Sequence, residues 1–407
     1  MSKYKQIISV YKGETILSLT MNGVIVRDLE NLKGKRPTSF NGYQKILPGN
    51  LLMCLFDIDV TPRCIGLIKN NGLTSPAYSQ FIINEGYCVA YYYYYYLMLD
   101  NTKELLHLAK NLRHSLTEDQ LGSVHVPVPP LTEQQAIADF LDAKCADIDS
   151  LTGDIQKQID ILKEYKKSVI TQAVTKGLDP NVEMKDSGIA WIGKIPVNWE
   201  LCRLKNLLAN VDRPIVDGPF GSDMKNEEYV DDGVPIIQLG NIRFTYHKLT
   251  PLKFVTPSKA KQLSGHIAKS GDIVIAKMMP AGKAAIVSNK YPKFVISADC
   301  IRVIFDKSKV YYRYIVLAIN TLCQKEAEIN AKGATRSRIN LSKVKNLYIV
   351  LPELKEQKYI ADFLDAKCAN IDAIISGKQK QLDVLKEYKK SLIYEYVTGK
   401  KEVPCRE

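Results

Sequence analysis

The chain has 407 residues, enough for two or three domains, and at 46% apolar and 25% charged it is composed like a globular protein, not a disordered tail. No run approaches the roughly 18 apolar residues of a membrane span, and the N-terminal MSKYKQIISVYKGET lacks an apolar signal core, so an intracellular, cytoplasmic protein is expected. The net charge of +12 is localised: residues 199–352 hold 24 basic and 13 acidic side chains, against 13 and 10 in 1–130, 8 and 11 in 131–198, and 11 and 10 in 353–407, which marks one polyanion-facing module.

The first globular segment spans 1–130. Its stretch 48–83 echoes 269–304, with Gly49 on Gly271, and 112–131 echoes 334–354. The run Tyr91–Tyr96 falls where the later segment has a helical pattern. It reads as an amphipathic helix packed between the domain and the next element, with its outward hydroxyls in water. Stacking on nucleic-acid bases is the alternative use of such a run.

A long helix over 131–177 follows. Residues 133–175 align without a gap to 356–398 at an offset of 223, with 28 of 43 positions identical, so the chain is a duplication. In the first copy Leu141, Ile148, Ile155, Leu162 and Val169 recur every seven residues, with Leu151 and Tyr165 as the second seam position. The second copy, a helix over 353–400 before a tail at 401–407, keeps Leu364, Ile371, Leu385 and Leu392, with Ile374 and Tyr388, and puts Lys378 in the place of Ile155. These are coiled-coil stripes, and one polar seam residue can fix register. Each helix would be about 65 Å long at ~1.5 Å per residue. Pro129, Pro130 and Pro352 sit where proline is tolerated, ahead of each helix, and Lys176-Gly177 is a stop signal. Antiparallel pairing of the two helices would put two globular domains at opposite ends of a rod, related by a pseudo-twofold axis; two separate coiled coils, each binding another protein, are the alternative.

The connector 178–207 holds both tryptophans, Trp191 and Trp199, among Gly and Pro, and reads as a segment docked by aromatic anchors. The second globular segment, 208–352, has short β-rich runs (VPIIQLGNI, DIVIAKM, AAIVSN, KFVIS, DCIRVIFD, NLYIVLP) and a helical stretch near 311–329. It is an α/β or α+β domain on a curved sheet.

Catalytic signals are weak. There is no G-x-x-x-x-G-K-[ST], G-x-G-x-x-G or H-E-x-x-H, and the five histidines are dispersed. The nine cysteines (54, 64, 88, 145, 202, 300, 323, 368, 405) form no C-x-x-C pair and read as reduced, mostly buried thiols. In DGPFGSDMK, Asp217, Asp223 and Lys225 loosely resemble a nuclease metal site, but the Gly and Pro residues make it a turn-rich loop, better suited to presenting Lys225 and backbone N–H groups to phosphate. Arg336 and Arg338, with Asn340, sit on a Gly-led loop before the last strand. Arg can bond guanine bidentately and Asn adenine, so this is a candidate base-reading loop. Lys225, Arg243, Lys277 and Lys283 are candidate phosphate contacts, and no residue is assigned a catalytic or metal-ligating role.

The paired PPLTEQQAIADFLDAKCADID and ELKEQKYIADFLDAKCANID segments, KDSGIAWIGKIPVNWE, DGPFGSDMK, and the SPAY and GATRSRIN blocks together resemble the specificity subunits of type I restriction-modification systems, essentially end to end. The resemblance implies two target-recognition domains, each reading half of a bipartite site on double-stranded DNA, held apart by an antiparallel coiled coil. It implies a non-catalytic subunit with no cofactor of its own. Two methyltransferase subunits would use S-adenosylmethionine, and restriction subunits would use ATP and Mg. One departure stands out: the linker block ahead of the second domain has no counterpart ahead of the first, and at the offset of 222 set by Gly49 and Gly271, Met1 aligns with Asp223. About 30 or more residues of the family pattern are therefore expected to be missing there. The alternative functions are a coiled-coil assembly protein or inactive recombination cassette with impaired DNA reading, and a self-contained nuclease.

Overall fold

Four helices organise the chain: α1 (Val89–Thr102), α2 (Leu131–Lys176), α3 (Tyr312–Asn330) and α4 (Leu354–Val397). The computed structural model describes residues 1–30, 37–109, 114–278, 280–330 and 338–404, without the side chains of 324–330. It divides into two compact units, Met1–Gln158 with Lys378–Glu407, and Ile159–Gly377. Each unit contains a sheet domain and a length of both α2 and α4.

Within each unit the two long helices run antiparallel. In the first, Lys389 Nζ lies 2.6 Å from Asp149 Oδ1 and Lys378 Nζ donates to Gln158 Oε1 at 2.5 Å, so residue numbers fall on α4 as they rise on α2. In the second, Lys166 Nζ lies 2.7 Å from Asp372. Lys166 and Asp372 are the repeat partners of Lys389 and Asp149, so the duplication carries the same ion pair in both units.

Leu141, Ile148, Ile155, Leu364, Ile371 and Leu392 are buried, and Leu162, Val169 and Leu385 are half-buried. The second seam row differs from the sequence expectation. Leu151, Tyr165, Ile374 and Tyr388 are about half exposed, whereas Cys145, Ile159, Ala173, Leu382 and Tyr396 are buried. In a helix the i+3 and i+4 residues flank the seven-residue row on opposite sides, and i+4 lies nearer to it. A heptad count does not choose between the flanks; the position of the partner helix does.

In the first unit Ser2–Tyr4, Ser79–Ile82, Leu51–Met53 and Ile65–Leu67 form an antiparallel sheet in that order. The tyrosine run is helical, within α1, and buried on more than one face: Tyr91, Tyr92, Tyr94 and Tyr96 are all buried. Four of its hydroxyls bond to protein groups, where water was expected for those facing outward. Tyr91 donates to Val397 O (3.2 Å), Tyr94 to Asp142 Oδ1 (2.7 Å), and Tyr92 and Tyr95 to the carbonyls of Pro127 and His125. Burial raises the Tyr94 phenol well above its ordinary range, and the Asp142 carboxylate adds to the shift. The run is therefore a structural wedge that ties α1 to α2 and α4.

In the second unit the corresponding sheet has five strands, Ile215–Asp217, Cys300–Val303, Ile273–Ala276, Ala284–Ile286 and Thr245–Tyr246, beside a four-stranded sheet built on Val234–Ile237 and Phe294–Ile296. The correspondence is detailed. Leu51 pairs with Phe81 as Ile273 pairs with Val303, and Gly49 and Gly271 both turn with positive φ (+83° and +85°) just before those strands. A buried glutamine fastens each domain helix to the start of a long helix. Gln357 Oε1 accepts from Tyr311 N–H (2.8 Å) while Nε2 donates to Lys309 O and Pro352 O. Gln134 does the same for Cys88 N–H and Pro129 O.

Of the two connector tryptophans expected as anchors, Trp199 is the more deeply docked. Trp199 is fully buried and its indole N–H donates to Glu356 Oε2 at 2.9 Å, while Trp191 is half-buried. Seven cysteines are buried and Cys368 is half-buried, and none of these eight is in a disulfide; Cys405 lies outside the described residues. Burial pushes Cys64 up to about 12 and Cys300 up to about 11, which makes them poor nucleophiles.

Candidate nucleic-acid interface

Four loops of the second unit meet at one end of its five-stranded sheet. The 217–225 loop leaves the edge strand at Asp217. Gly218 lies so close to the Ser297–Cys300 turn that a Cβ would stand 1.9 Å from Ser297 O, and its N–H donates to Cys300 O (2.9 Å). Only glycine permits that approach. Lys277, just past Ile273–Ala276, donates its N–H to Asp299 O, and its carbonyl accepts from Ile339 N–H. The turn at 297–300 and the segment 338–340 are thereby drawn to the same place as Asp217.

Lys277, expected to contact phosphate, is the centre of this cluster and is held by protein groups. Its ammonium is buried, 2.8 Å from Asp217 Oδ1 and 2.8 Å from Ala298 O. A cation with two such partners and little exposure is a clamp between loops, not a free phosphate ligand. His266 Nδ1, 2.7 Å from Asp217 O, also holds this loop.

The other singled-out residues divide. Arg338 is exposed and pairs with Asp299 at 3.0 Å, which orients its guanidinium at the rim. Asn340 is the N-cap of the short helix Leu341–Asn346, its Oδ1 accepting from Lys343 N–H at 2.8 Å. Its carbonyl is already used, so the bidentate adenine contact expected of it is not open in this geometry. Lys225 is exposed, with its N–H bonded to Glu228 Oε2. Arg243 and Lys283 are half-buried; burial first, and then repulsion from Arg243, lowers the Lys283 ammonium below its ordinary range. Such a crowded cation pair gains from an anion. Nearby, a cleft of about 560 Å³ is lined by Lys163, Lys166, Lys167, Phe244 and Asn320. Arg336 lies outside the described residues.

Sequence reading passed over Phe220. It is 82% exposed at the tip of the 217–225 loop, although the backbone beneath it is pinned by Asp217 and Gly218. The signal was present, an aromatic between Pro219 and Gly221 in a turn too glycine-rich to bury it. Asp217, Asp223 and Lys225 do not assemble as a nuclease site would require. Asp217 is taken by Lys277, Asp223 ends an exposed turn, and among the described residues no three His, Cys, Asp or Glu side chains are placed to hold a metal. Nor is any described helix long and apolar enough to cross a membrane.

The fold defines a duplicated protein in which two mixed-sheet domains alternate with two long helices. The family model described as the type I restriction modification DNA specificity domain matches residues 67–160 and 196–384, more than half of the chain, and the chain belongs to that family. It is 29% identical over 291 residues to the type I restriction enzyme MjaVIII specificity subunit of Methanocaldococcus jannaschii, covering 68% of this chain and 62% of the relative. Against the type I restriction enzyme EcoBI specificity subunit of Escherichia coli it is 25% identical over 274 residues, 64% and 54% of the two chains. The chain thus matches less than two thirds of the length of these curated relatives. The fold is similar to a chain in a structure described as the basis of complex assembly and conformational transition of the type I R-M system, with a TM-score of 0.67 at 15% identity over 87% of this chain and 83% of that one.

Proposed function

We propose that the chain is the DNA sequence-specificity subunit of a type I restriction-modification complex. Its two sheet domains are target-recognition domains for a bipartite site on double-stranded DNA. The observation that carries the reading is the convergence of four loops around the Lys277–Asp217 clamp, in the segment that holds most of the net positive charge. A rigid loop face with Arg338 and Phe220 at its rim can reach base edges, while Lys225, Arg243 and Lys283 neutralise phosphates. Arg336, in the same loop sequence as Arg338, belongs to this reading set. The subunit is non-catalytic and cytoplasmic, and holds no cofactor. It recruits two methyltransferase subunits, which use S-adenosylmethionine, and restriction subunits, which use ATP and Mg. The paired helices, with the seam of Leu141, Ile148, Ile155, Leu162, Val169, Leu364, Ile371, Leu385 and Leu392, carry the partner contacts.

The test is co-expression with the methyltransferase partner followed by mapping of methylated adenines. A bipartite motif is expected, one half of which changes when residues 208–352 are exchanged for those of a relative. The absence of a bipartite motif, or one indifferent to the exchange, refutes the reading. DNA affinity that is weak and equal on all sequences would leave an assembly role only.

A further inference from the structure

Three lysines of α2 have no part in the loop face of the second unit. Lys163, Lys166 and Lys167, at i, i+3 and i+4, share one side of the helix and line the cleft of about 560 Å³ together with Phe244 and Asn320. Its apolar lining, Ile170 and Phe244, belongs to the core of this unit. The wall opposite α2 is α3, where the Asn320 amide bonds the N–H and the carbonyl of Ala284 (3.0 and 2.9 Å). The cleft is therefore held by the core and by a strand of the sheet.

It adjoins the end of the five-stranded sheet at which the four loops meet. Residues 277–283 join Ile273–Ala276 to Ala284–Ile286, so Lys283 stands at the same end as Lys277. Thr245–Tyr246 runs parallel to Ala284–Ile286, with Thr245 opposite Ala285, which puts Arg243 and Phe244 there too. The turn between them is tight: Arg243 N–H donates to Tyr246 O (3.0 Å), and Thr245 takes a φ of +70°. That conformation is costly for a β-branched residue and persists only where its surroundings hold it. The turn sets Phe244 in the cleft and Arg243 beside Lys283, whose ammonium is lowered by burial and then by Arg243.

Five cations thus lie in or beside one opening, against three carboxylates: Glu164 in its lining, and Asp160 and Asp372, which pair with Lys163 (3.3 Å) and Lys166 (2.7 Å). Lys163 and Lys167 are exposed. The duplication keeps the arrangement. On α4, Lys386 pairs with Asp383 and Lys389 with Asp149, as Lys163 does with Asp160 and Lys166 with Asp372, and Lys390 holds the place of Lys167. From Lys163 to Lys167 the helix rises about 6 Å, against ~3.4 Å of duplex per phosphate of one strand, which suits about two consecutive phosphates. Lysine is depleted in protein–protein contacts, so the chemistry favours a nucleic-acid backbone over a protein surface.

We propose that this cleft is a second DNA contact, in which Lys163 and Lys167 take consecutive phosphates of one strand beside the bases that the loops read, while Lys166 stays with Asp372. The inference rests on the DNA-binding reading above and adds to it a backbone site on a long helix, which positions the duplex without reading its sequence.

Binding of the full chain is measured across a salt series, on a duplex with the motif mapped by methylation and on a scrambled duplex. The double variant Lys163→Gln with Lys167→Gln should make the slope of log K against log salt shallower by about 1.8 on both duplexes and leave the mapped motif unchanged. Glutamine suits a helix and Lys166–Asp372 is untouched, so the unfolding midpoint should stay at the parent's. Lys144→Gln with Lys157→Gln, which removes two exposed charges of α2 outside the cleft, should move the slope by less than half as much. Lysine acetylation read by mass spectrometry should show Lys163 and Lys167 protected severalfold by DNA. An unchanged slope, an equal change in the two double variants, or protection given by the methyltransferase partner and not by DNA would overturn the proposal. Binding equal on both duplexes, with the slope and protection as expected, would uphold the cleft and refute sequence reading; a bipartite motif with an unchanged slope would overturn the cleft alone.

Discussion

Replacing Lys277 by methionine separates two roles that a basic residue on a recognition loop can have. The methylene stem is preserved, so packing is nearly constant. The variant loses the ammonium bonded to Ala298 O and paired with Asp217, both at 2.8 Å. Orphaning one part-buried carbonyl costs about 1 kcal/mol. Breaking a fully buried ion pair costs about 3–5 kcal/mol. However, the Asp217 side chain is 45% exposed and can be rehydrated, which reduces that loss to about 1 kcal/mol. The sum is about 2 kcal/mol, read as a fall in the urea midpoint of the full chain at constant m-value. Asp217→Asn should lose less, and the double variant should cost less than the two single losses added. In DNA binding, the slope of log K against log salt should be unchanged, because no phosphate contact is removed. Unchanged stability together with a slope shallower by about 0.9 would refute the clamp and restore Lys277 as a phosphate ligand.

Gln357→Leu orphans three backbone groups and Gln134→Leu two, so losses of about 2–4 and 1–3 kcal/mol are expected by denaturation; the reverse order would contradict the glutamine fastening. Arg338→Ala should relax preference at one base pair by about 1–3 kcal/mol in competition binding, whereas a uniform loss on all sequences would make it a phosphate contact. His247 is buried edge-on to Phe294 and its imidazole is pushed down to about 4 by burial. A folded value below the unfolded one of about 6.5 means that the unfolded state binds the proton first. Stability is therefore full above about pH 6.5 and falls toward pH 4, by up to about 3 kcal/mol. His247→Leu should flatten that part of the pH profile, and an unchanged slope would refute it.

The strands of the second domain were legible because each is a short β-rich run bounded by Gly, Pro, Asn or Lys, and the tyrosine run was legible as a helix through its place in the repeat. Less legible were strands of two or three residues, such as Thr245–Tyr246 and Ile267–Ala268, whose pairing depends on neighbours far along the chain. The comparison of the two domains also shifted. Sequence offset puts Met1 opposite Asp223, whereas the sheet has Ser2–Tyr4 in the place of Ile215–Asp217. Loops of different length separate the edge strand from the rest of the domain, and an alignment at constant offset cannot register that. In the candidate interface, Lys225 and Lys277 looked equivalent, each a lysine expected to meet phosphate. Burial and partners set them apart.

Sequence by itself determined the duplication, the two long helices, the segment that holds the positive charge and the family, because each is written in local spacing and composition. Tertiary structure alone decided which flank of each heptad row faces its partner, which lysine is a clamp and which arginine is held at an exposed rim by an aspartate. Those outcomes depend on which distant residues meet, and a side chain's charge or apolar character acquires a role only when burial and a partner at bonding distance are set.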